Sequence, residues 1–272
     1  MFKADYHVHT AFSCDSEVPM EEMIKTGINK GLTEIAFTDH VDFDPRYPFT
    51  NYNKYIPFIK ELQEKYKDKI NIVFGVEVGL ENRWADKINP FITEFPFDFV
   101  IGSSHAVETL DVYFDQKKYF EGRTKEQAYT IYFEEMLKNI QTCEGFCVYG
   151  HLDFITRYGM YEDNSLKYAD YSDLIDAVLK ALIERGRGIE INTSGFKYGI
   201  ANTYPSLDIV KRYKELGGKY VTLGSDAHKA EYIGYGFDKA DHIDFAYDIL
   251  KKAGFDYVCT FREKKPIFNK LP

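Results

Sequence analysis

Seven short runs rich in β-branched and aromatic residues alternate along this chain with amphipathic stretches of helical length. The runs are Ala4–Val8, Glu34–Thr38, Ile70–Glu77, Phe99–Ser103, Cys147–Gly150, Gly188–Ile191 and Tyr220–Gly224. Six helices are predicted around them, over Pro19–Asn29, Lys54–Lys67, Thr124–Thr142, Tyr171–Arg185, Pro205–Leu216 and His242–Ala253. Local signals mark their ends. Pro19 opens the first helix, where its missing N–H is not needed, and Gly31 stands just past its end. Thr124 with Gln127 three residues on makes a capping box. Tyr55, Phe58, Ile59, Leu62 and Tyr66 line one face of the second helix. Gly186 and Gly217 follow two others as left-handed caps. Alternating strands and helices bury a parallel sheet under an outer helical layer. Seven repeats favour an α/β barrel, closed or nearly so, over an open sheet. No internal repeat or linker interrupts the 272 residues, so one domain over 1–272 is expected. A late apolar run, Tyr257–Phe261, is expected to close the barrel or cover one end of it.

Composition narrows the setting. A hydrophobic share of 44% with 28% charged residues excludes intrinsic disorder. The net charge is −9 and no basic run exceeds two residues. That argues against a nucleic-acid partner or an anionic membrane surface, while a local basic pocket stays open. No apolar run approaches the roughly 18 residues of a membrane span. The opening residues Met1-Phe2-Lys3-Ala4-Asp5 show no signal-peptide core, so a cytoplasmic location is expected. Cys14, Cys143, Cys147 and Cys259 make no disulfide framework. Cys143 and Cys147 lack the second half that a zinc knuckle needs. The 22 Tyr and 22 Phe are read as core side chains, with Tyr tips at the surface.

The histidines sort by position. His7 and His9 end the first strand, His40 the second, His105 the fourth, His151 the fifth and His228 the seventh. Glu77 ends the third strand, and Asp226 stands two residues before His228. In a βα barrel these strand ends converge on one face, where active sites are built. His7-Val8-His9 and Asp226-Ala227-His228 are i, i+2 pairs, whose members point the same way from extended backbone. Asp15, in the loop after His9, is a further candidate. His242 opens a late helix far from any strand end and is read as a surface residue. Three long connections, 41–53, 106–123 and 152–170, follow strands and are expected to overhang the same mouth as lids.

Nine candidate ligands exceed the roughly four that one zinc ion takes. They suit two or three divalent ions bridged by a carboxylate and a hydroxide. Imidazole with carboxylate selects zinc, manganese or iron over calcium or magnesium. Three such ions, less three carboxylates and one hydroxide, leave about +2, the complement of a phosphate monoester dianion.

These residues resemble the PHP (polymerase and histidinol phosphatase) superfamily. The matching motifs are His7-Val8-His9-Thr10, Thr38-Asp39-His40, Gly75-Val76-Glu77, Ser104-His105, Gly150-His151 and Gly224-Ser225-Asp226-Ala227-His228. Within it the chain is most similar to the histidinol-phosphate phosphatases, through Gly150-His151-Leu152-Asp153 followed by Arg157, and Glu190-Ile191-Asn192-Thr193-Ser194-Gly195. The resemblance implies a distorted seven-stranded TIM-like barrel with a trinuclear site at its C-terminal mouth. One ion would lie among His7, His9, Glu77 and Asp226, a second among Glu77, His105 and His151, and a third with Asp15, His40 and His228. It also implies hydrolysis of L-histidinol phosphate, in histidine biosynthesis. The family commonly carries Arg where Lys197 stands, and Lys lacks the bidentate fork that grips two phosphate oxygens.

Phosphate monoester hydrolysis needs a nucleophile, charge neutralisation and a proton for the leaving alkoxide. A metal-bridging hydroxide would supply the first. Arg157 and Lys197 would complete the charge clamp, with Asn192, Ser194 and His105 as further substrate contacts and Asp226, His228 or a metal-bound water as proton donor. Asp42, Asp44, Asp153, Tyr47 and Tyr158 lie in loops where an ammonium acceptor or an aromatic wall would be needed; each alone reads as a solvated loop residue. A small phosphate ester is the expected partner, and homo-oligomerisation is left open. The alternatives are a PHP phosphoesterase on nucleotides, nucleic-acid ends or phosphotyrosine protein, and a structural or metal-binding PHP module. The complete ligand set argues against the last.

Overall fold

The computed structural model describes residues 3–198, 202–237 and 246–271. Their strands are β1 (Ala4–Val8), β2 (Glu34–Phe37), β3 (His40–Val41), β4 (Asn71–Gly79), β5 (Phe99–Ser103), β6 (Ala106–Val107), β7 (Leu110–Asp111), β8 (Val148–Tyr149), β9 (Gly188–Asn192), β10 (Val221–Gly224), β11 (Tyr257–Arg262) and β12 (Lys265–Lys270). The seven expected runs form one parallel sheet in chain order, β1-β2-β4-β5-β8-β9-β10. The short β3 pairs with the far half of β4, setting His40 beside Glu77. β4 is buried from Ile72 onwards, as a strand covered on both faces must be. Between β1 and β10 closure rests on a parallel bridge, Val8 to Ala227. There the His9 amide donates to the Ala227 carbonyl at 3.0 Å and the Ala227 amide to the His7 carbonyl at 3.3 Å. The barrel is nearly closed, and the two paired-ligand motifs make the seam.

The helical layer follows the local signals. Met20–Asn29, Tyr52–Tyr66, Lys125–Thr142, Ser172–Glu184 and Leu207–Glu215 are helices, each within two residues of its predicted ends. Both hydrogen bonds of the Thr124–Gln127 capping box are present. Ala246–Lys252 is the described part of the last helix; His242 lies outside the described residues. None of the helices among the described residues is long and apolar enough to cross a membrane.

Several elements were not expected, and two of them show why. Ala85–Glu94 is a helix despite Pro90 in its interior. Its Ile88, Phe91 and Ile92 are buried, and burial at about 1.5–3 kcal/mol each outweighs the roughly 3 kcal/mol an interior proline costs. Phe91 joins Tyr52, Phe74, Phe95 and Phe97 in a cluster of rings, so these aromatic residues are core. The other is the hairpin β6–β7, whose two turn residues, Glu108 (φ +49) and Thr109 (φ +72), take the left-handed backbone that such turns demand. Neither is Gly, Asn or Asp, so the turn leaves little trace in the sequence.

The late apolar run is β11, paired antiparallel with β12. It covers the barrel end where the strands begin. Phe261 packs on Phe99 at 5.2 Å, the Phe261 amide donates to the Tyr6 hydroxyl at 2.9 Å, and Arg262 donates to Glu34 at 2.6 Å.

Candidate metal centre

At the opposite end the strand termini converge on one carboxylate. Glu77 is 1% exposed and accepts the approach of five imidazoles. Its Oε2 lies 3.0 Å from His7, 3.5 Å from His9 and 3.1 Å from His40; its Oε1 lies 2.9 Å from His151 and 3.4 Å from His105. Asp226 Oδ1 is 3.4 Å from His9 Nε2 and 3.4 Å from His228 Nδ1. Asp15 Oδ2 is 2.9 Å from His228 Nε2 and 3.4 Å from His40 Nε2. All nine predicted ligands therefore meet in one place. Donor atoms able to share an ion form three groups: His9, Asp15, His40 and His228; His7, His9 and Glu77; His40, Glu77 and His105. His9 and His40 each belong to two groups, an overlap the expected partition lacks.

The donors fit divalent metal ions. His9 Nε2, His40 Nδ1 and His151 Nδ1 are buried without a hydrogen-bond partner among the described residues. Burial, then the neighbouring His228 and His40, pushes the His9 imidazole down to about 3, so it is neutral with a free lone pair. Burial opposes charge on Glu77 and Asp226, but the facing imidazoles outweigh it and hold both carboxyls well below their usual range. Asp15 follows the same pattern through His40 and His228. Burial lowers His40, but Glu77 and Asp15 outweigh it and raise the group to about 9. Ionised carboxylates facing imidazoles that release their protons when a metal binds are the donor set of zinc-like ions.

Glycines make the room. A side chain at Gly79 would lie 1.8 Å from Asp42 Oδ1, and one at Gly224 would lie 2.2 Å from Glu190 Oε1 and 2.4 Å from the His7 Cβ. Asp226 (φ +53) and His151 (φ +22) sit in left-handed backbone without being glycine, a strain on the order of 1 kcal/mol each.

Around the cluster lies a cavity of about 1300 Å³ lined by Arg157, Lys197, Asp226 and His228 among others. The Arg157 guanidinium stacks on Tyr198 at 3.4 Å and reaches to 3.9 Å from Asp226 Oδ2. The Lys197 ammonium lies 4.3 Å from the Tyr232 ring; burial pushes it down, and Arg157 adds to this while Asp226 opposes it. Asn192 and Ser194 are bonded to each other, Ser194 Oγ donating to Asn192 Oδ1 at 2.6 Å, and Asn192 Nδ2 donates to Glu190 at 3.1 Å. Among the lid residues, Arg46 ties Asp44 to Asp115 across two connections, and the Tyr47 hydroxyl donates to Asp111.

Four carboxylates to which the sequence reading gave no role at the metals shape the centre, among them Asp42, read there as a lid residue. Glu190 Oε1 meets His7 Nδ1 at 2.6 Å and its Oε2 accepts from the His151 amide at 2.9 Å. Asp42 Oδ1 meets His105 Nδ1 at 3.0 Å. Such partners set the tautomer and direction of a ligating imidazole. Asp5 accepts from Ser225 and the Gly234 amide, and Asp39 from Thr10 and Tyr55, so both pin ligand-bearing loops. A charged residue alternating with isoleucines in Gly188-Ile189-Glu190-Ile191 was the available signal for Glu190.

A family model of the PHP domain matches residues 5–194, and a histidinol-phosphatase of Lactococcus lactis subsp. lactis is 38% identical over 99% of this chain and 98% of its own. This chain belongs to the PHP histidinol-phosphatase family. A second member of that family, a probable histidinol-phosphatase of Clostridium acetobutylicum, is 35% identical over 87% of this chain and 90% of its own. The solved histidinol phosphate phosphatase of L. lactis, complexed with zinc, L-histidinol and phosphate, is similar with a TM-score of 0.87 at 37% identity, over 97% of this chain and 98% of that one. The nearly closed seven-stranded parallel barrel is thus the PHP type. A putative histidinol phosphatase from Listeria monocytogenes, 21% identical, shares the fold at a TM-score of 0.76 over 86% of this chain and 98% of its own.

Proposed function

We propose that this chain is a single-domain, cytoplasmic phosphomonoesterase that hydrolyses L-histidinol phosphate to L-histidinol and phosphate with two or three zinc, manganese or iron ions. The observation that carries the chemistry is Glu77 ringed by five imidazoles, with Asp15 and Asp226 completing the set. The substrate rests on the 37% identical relative that holds zinc, L-histidinol and phosphate. Metals would be held by His7, His9, Asp15, His40, Glu77, His105, His151, Asp226 and His228. When bound, they supply Lewis acidity and lower the pKa of water towards 7.

The chain's own groups do the rest. Glu77 draws five imidazoles from the ends of four strands to one point, and Glu190 and Asp42 hold His7 and His105 in register. Arg157, braced on Tyr198, binds the phosphoryl oxygens as a preorganised cation. Lys197 adds a second positive charge without the fork of an arginine. As a water oxygen bonds to phosphorus, the P–O bond to the alkoxide breaks; Asp226 or His228 takes the proton that leaves the water and passes it to the alkoxide. His105 serves the metal and borders the substrate. Asn192 and Ser194 act by fixing Glu190 and the chain after β9.

The test is phosphate release by chelated protein, then by protein restored with zinc or manganese, from L-histidinol phosphate, a nucleotide and a phosphotyrosine peptide. Metal-dependent turnover with L-histidinol phosphate preferred by orders of magnitude is expected. A preference for another ester discards the substrate and keeps the chemistry; no turnover with metals bound discards both.

A further inference from the structure

β5 ends at Ser103, and a second serine, Ser104, follows it. Both are buried, at 0% and 1% exposed, and their hydroxyls meet different partners. Ser104 Oγ lies 2.5 Å from the Tyr149 hydroxyl and 3.3 Å from Asn139 Nδ2, away from the ligands. The Ser103 hydroxyl donates to Glu77 Oε1 at 2.6 Å. Its place is fixed from two sides. Ser103 stands opposite Gly79 in the β4–β5 register, and the Leu80 amide donates to the Ser103 carbonyl at 2.7 Å. On the β8 side, a side chain at Gly150 would lie 2.3 Å from Ser103 Oγ, so a glycine there keeps the hydroxyl's position open.

Ser103 is the one donor to the Glu77 carboxylate, among the described residues, that is not an imidazole. The imidazoles divide between its oxygens, His105 and His151 at Oε1 and His7, His9 and His40 at Oε2. A nitrogen that ligates a metal ion has given up its proton, so it no longer donates to Glu77. The Ser103 hydroxyl keeps its proton, and its hydrogen bond outlasts the others. A carboxylate oxygen has two lone pairs. Ser103 occupies one on Oε1 and leaves the second for an ion shared with His105 and His151. Oε2 stays free for the side of His7, His9 and His40. Without that tether the carboxylate can turn about its last bond and give both oxygens to one ion.

We propose that Ser103 is a positioning residue that keeps Glu77 a bridge between two ions instead of a chelator of one. It acts through Glu77, by fixing the rotation of the carboxylate so that each oxygen faces its own group of imidazoles. This rests on the metal reading above and extends it to the residue that decides how the ions share their common ligand.

Metal-free wild type, Ser103→Ala and Ser104→Ala are titrated with zinc against a chromophoric chelator, and the zinc that survives desalting is counted per chain. The Tm of each metal-free protein reports stability separately. Wild type should bind at least two ions. Ser103→Ala removes one oxygen and no carbon; it should weaken one ion about 10- to 100-fold and leave another at wild-type affinity or tighter. One zinc fewer should then survive desalting. Ser104→Ala loses a buried hydroxyl of the same kind at the next position and should bind zinc as wild type does, which a merely structural role for Ser103 would not predict. Wild-type isotherms in Ser103→Ala, equal weakening of every ion, or the same zinc loss in both variants overturns the role. Wild type that binds fewer than two ions overturns the metal reading itself, and the bridge with it.

Discussion

The two ends of this barrel hold similar side chains in opposite states. At the end where strands begin, Tyr6, Glu34 and the hairpin's Arg262 bond to one another, and Tyr6 also accepts from the Phe261 amide. At the end where they finish, imidazoles and carboxylates crowd together, several nitrogens lack partners among the described residues, and Asp226 bends into left-handed backbone. The first arrangement is satisfied and closed; the second is strained and open to a cavity. Stability gathers at one end of a βα barrel and chemistry at the other, and in this chain unmet hydrogen-bonding capacity separates the two.

The comparison breaks most readily at Glu77. Glu77→Ala should lower turnover by at least about a thousandfold and strip bound metal, because one side chain organises five imidazoles; phosphate release and metal analysis check it. Asp226→Ala should do likewise. Wild-type activity with full metal content in either variant would undo the assignment of the mouth. Arg157→Ala should mainly raise KM for phosphate esters, by about 10- to 100-fold, if its charge serves ground and transition states alike.

At the closed end the expected effect changes kind. Glu34→Ala leaves Arg262 without its carboxylate and should cost about 1–3 kcal/mol of stability, seen as a lower Tm with metal content and KM unaltered. A loss of metal in that variant would show that the two ends are coupled.

The smallest effect sharpens the contrast through pH. In metal-free protein, burial lowers His40 but Glu77 and Asp15 raise it to about 9, above its unfolded value. Its stabilisation is complete below about 6.5 and is lost as pH rises towards 9. His7 and His105 are raised too, against burial, by Glu190 and Asp42 respectively with Glu77. Metal binding requires neutral imidazoles, so the bound form escapes this loss. The gap in Tm between metal-loaded and metal-free protein should widen from pH 6.5 to 9; a constant gap would mean these imidazoles are not the ligands.

Much of this could be read from the chain alone, because the informative contacts are local. A run such as Phe99–Ser103 is a strand wherever it sits, a Thr124–Gln127 capping box starts a helix from four residues, and a ligand-type residue at each strand end implies convergence once the fold is a parallel barrel. The tertiary structure decided what depends on partners distant in sequence. Glu190 reaches His7 across 183 residues and Asp42 reaches His105 across 63, so neither announces itself locally. Ala85–Glu94 is helical because Phe91 finds an aromatic cluster that outweighs its proline. Asp153 reads as a solvated loop residue until the chain brings the Ser206 amide beside it, and Ser103 as the end of a strand until its hydroxyl meets Glu77. Residue type and spacing set which chemistry is available; burial against distant partners determines which groups are satisfied, and which are left to bind something else.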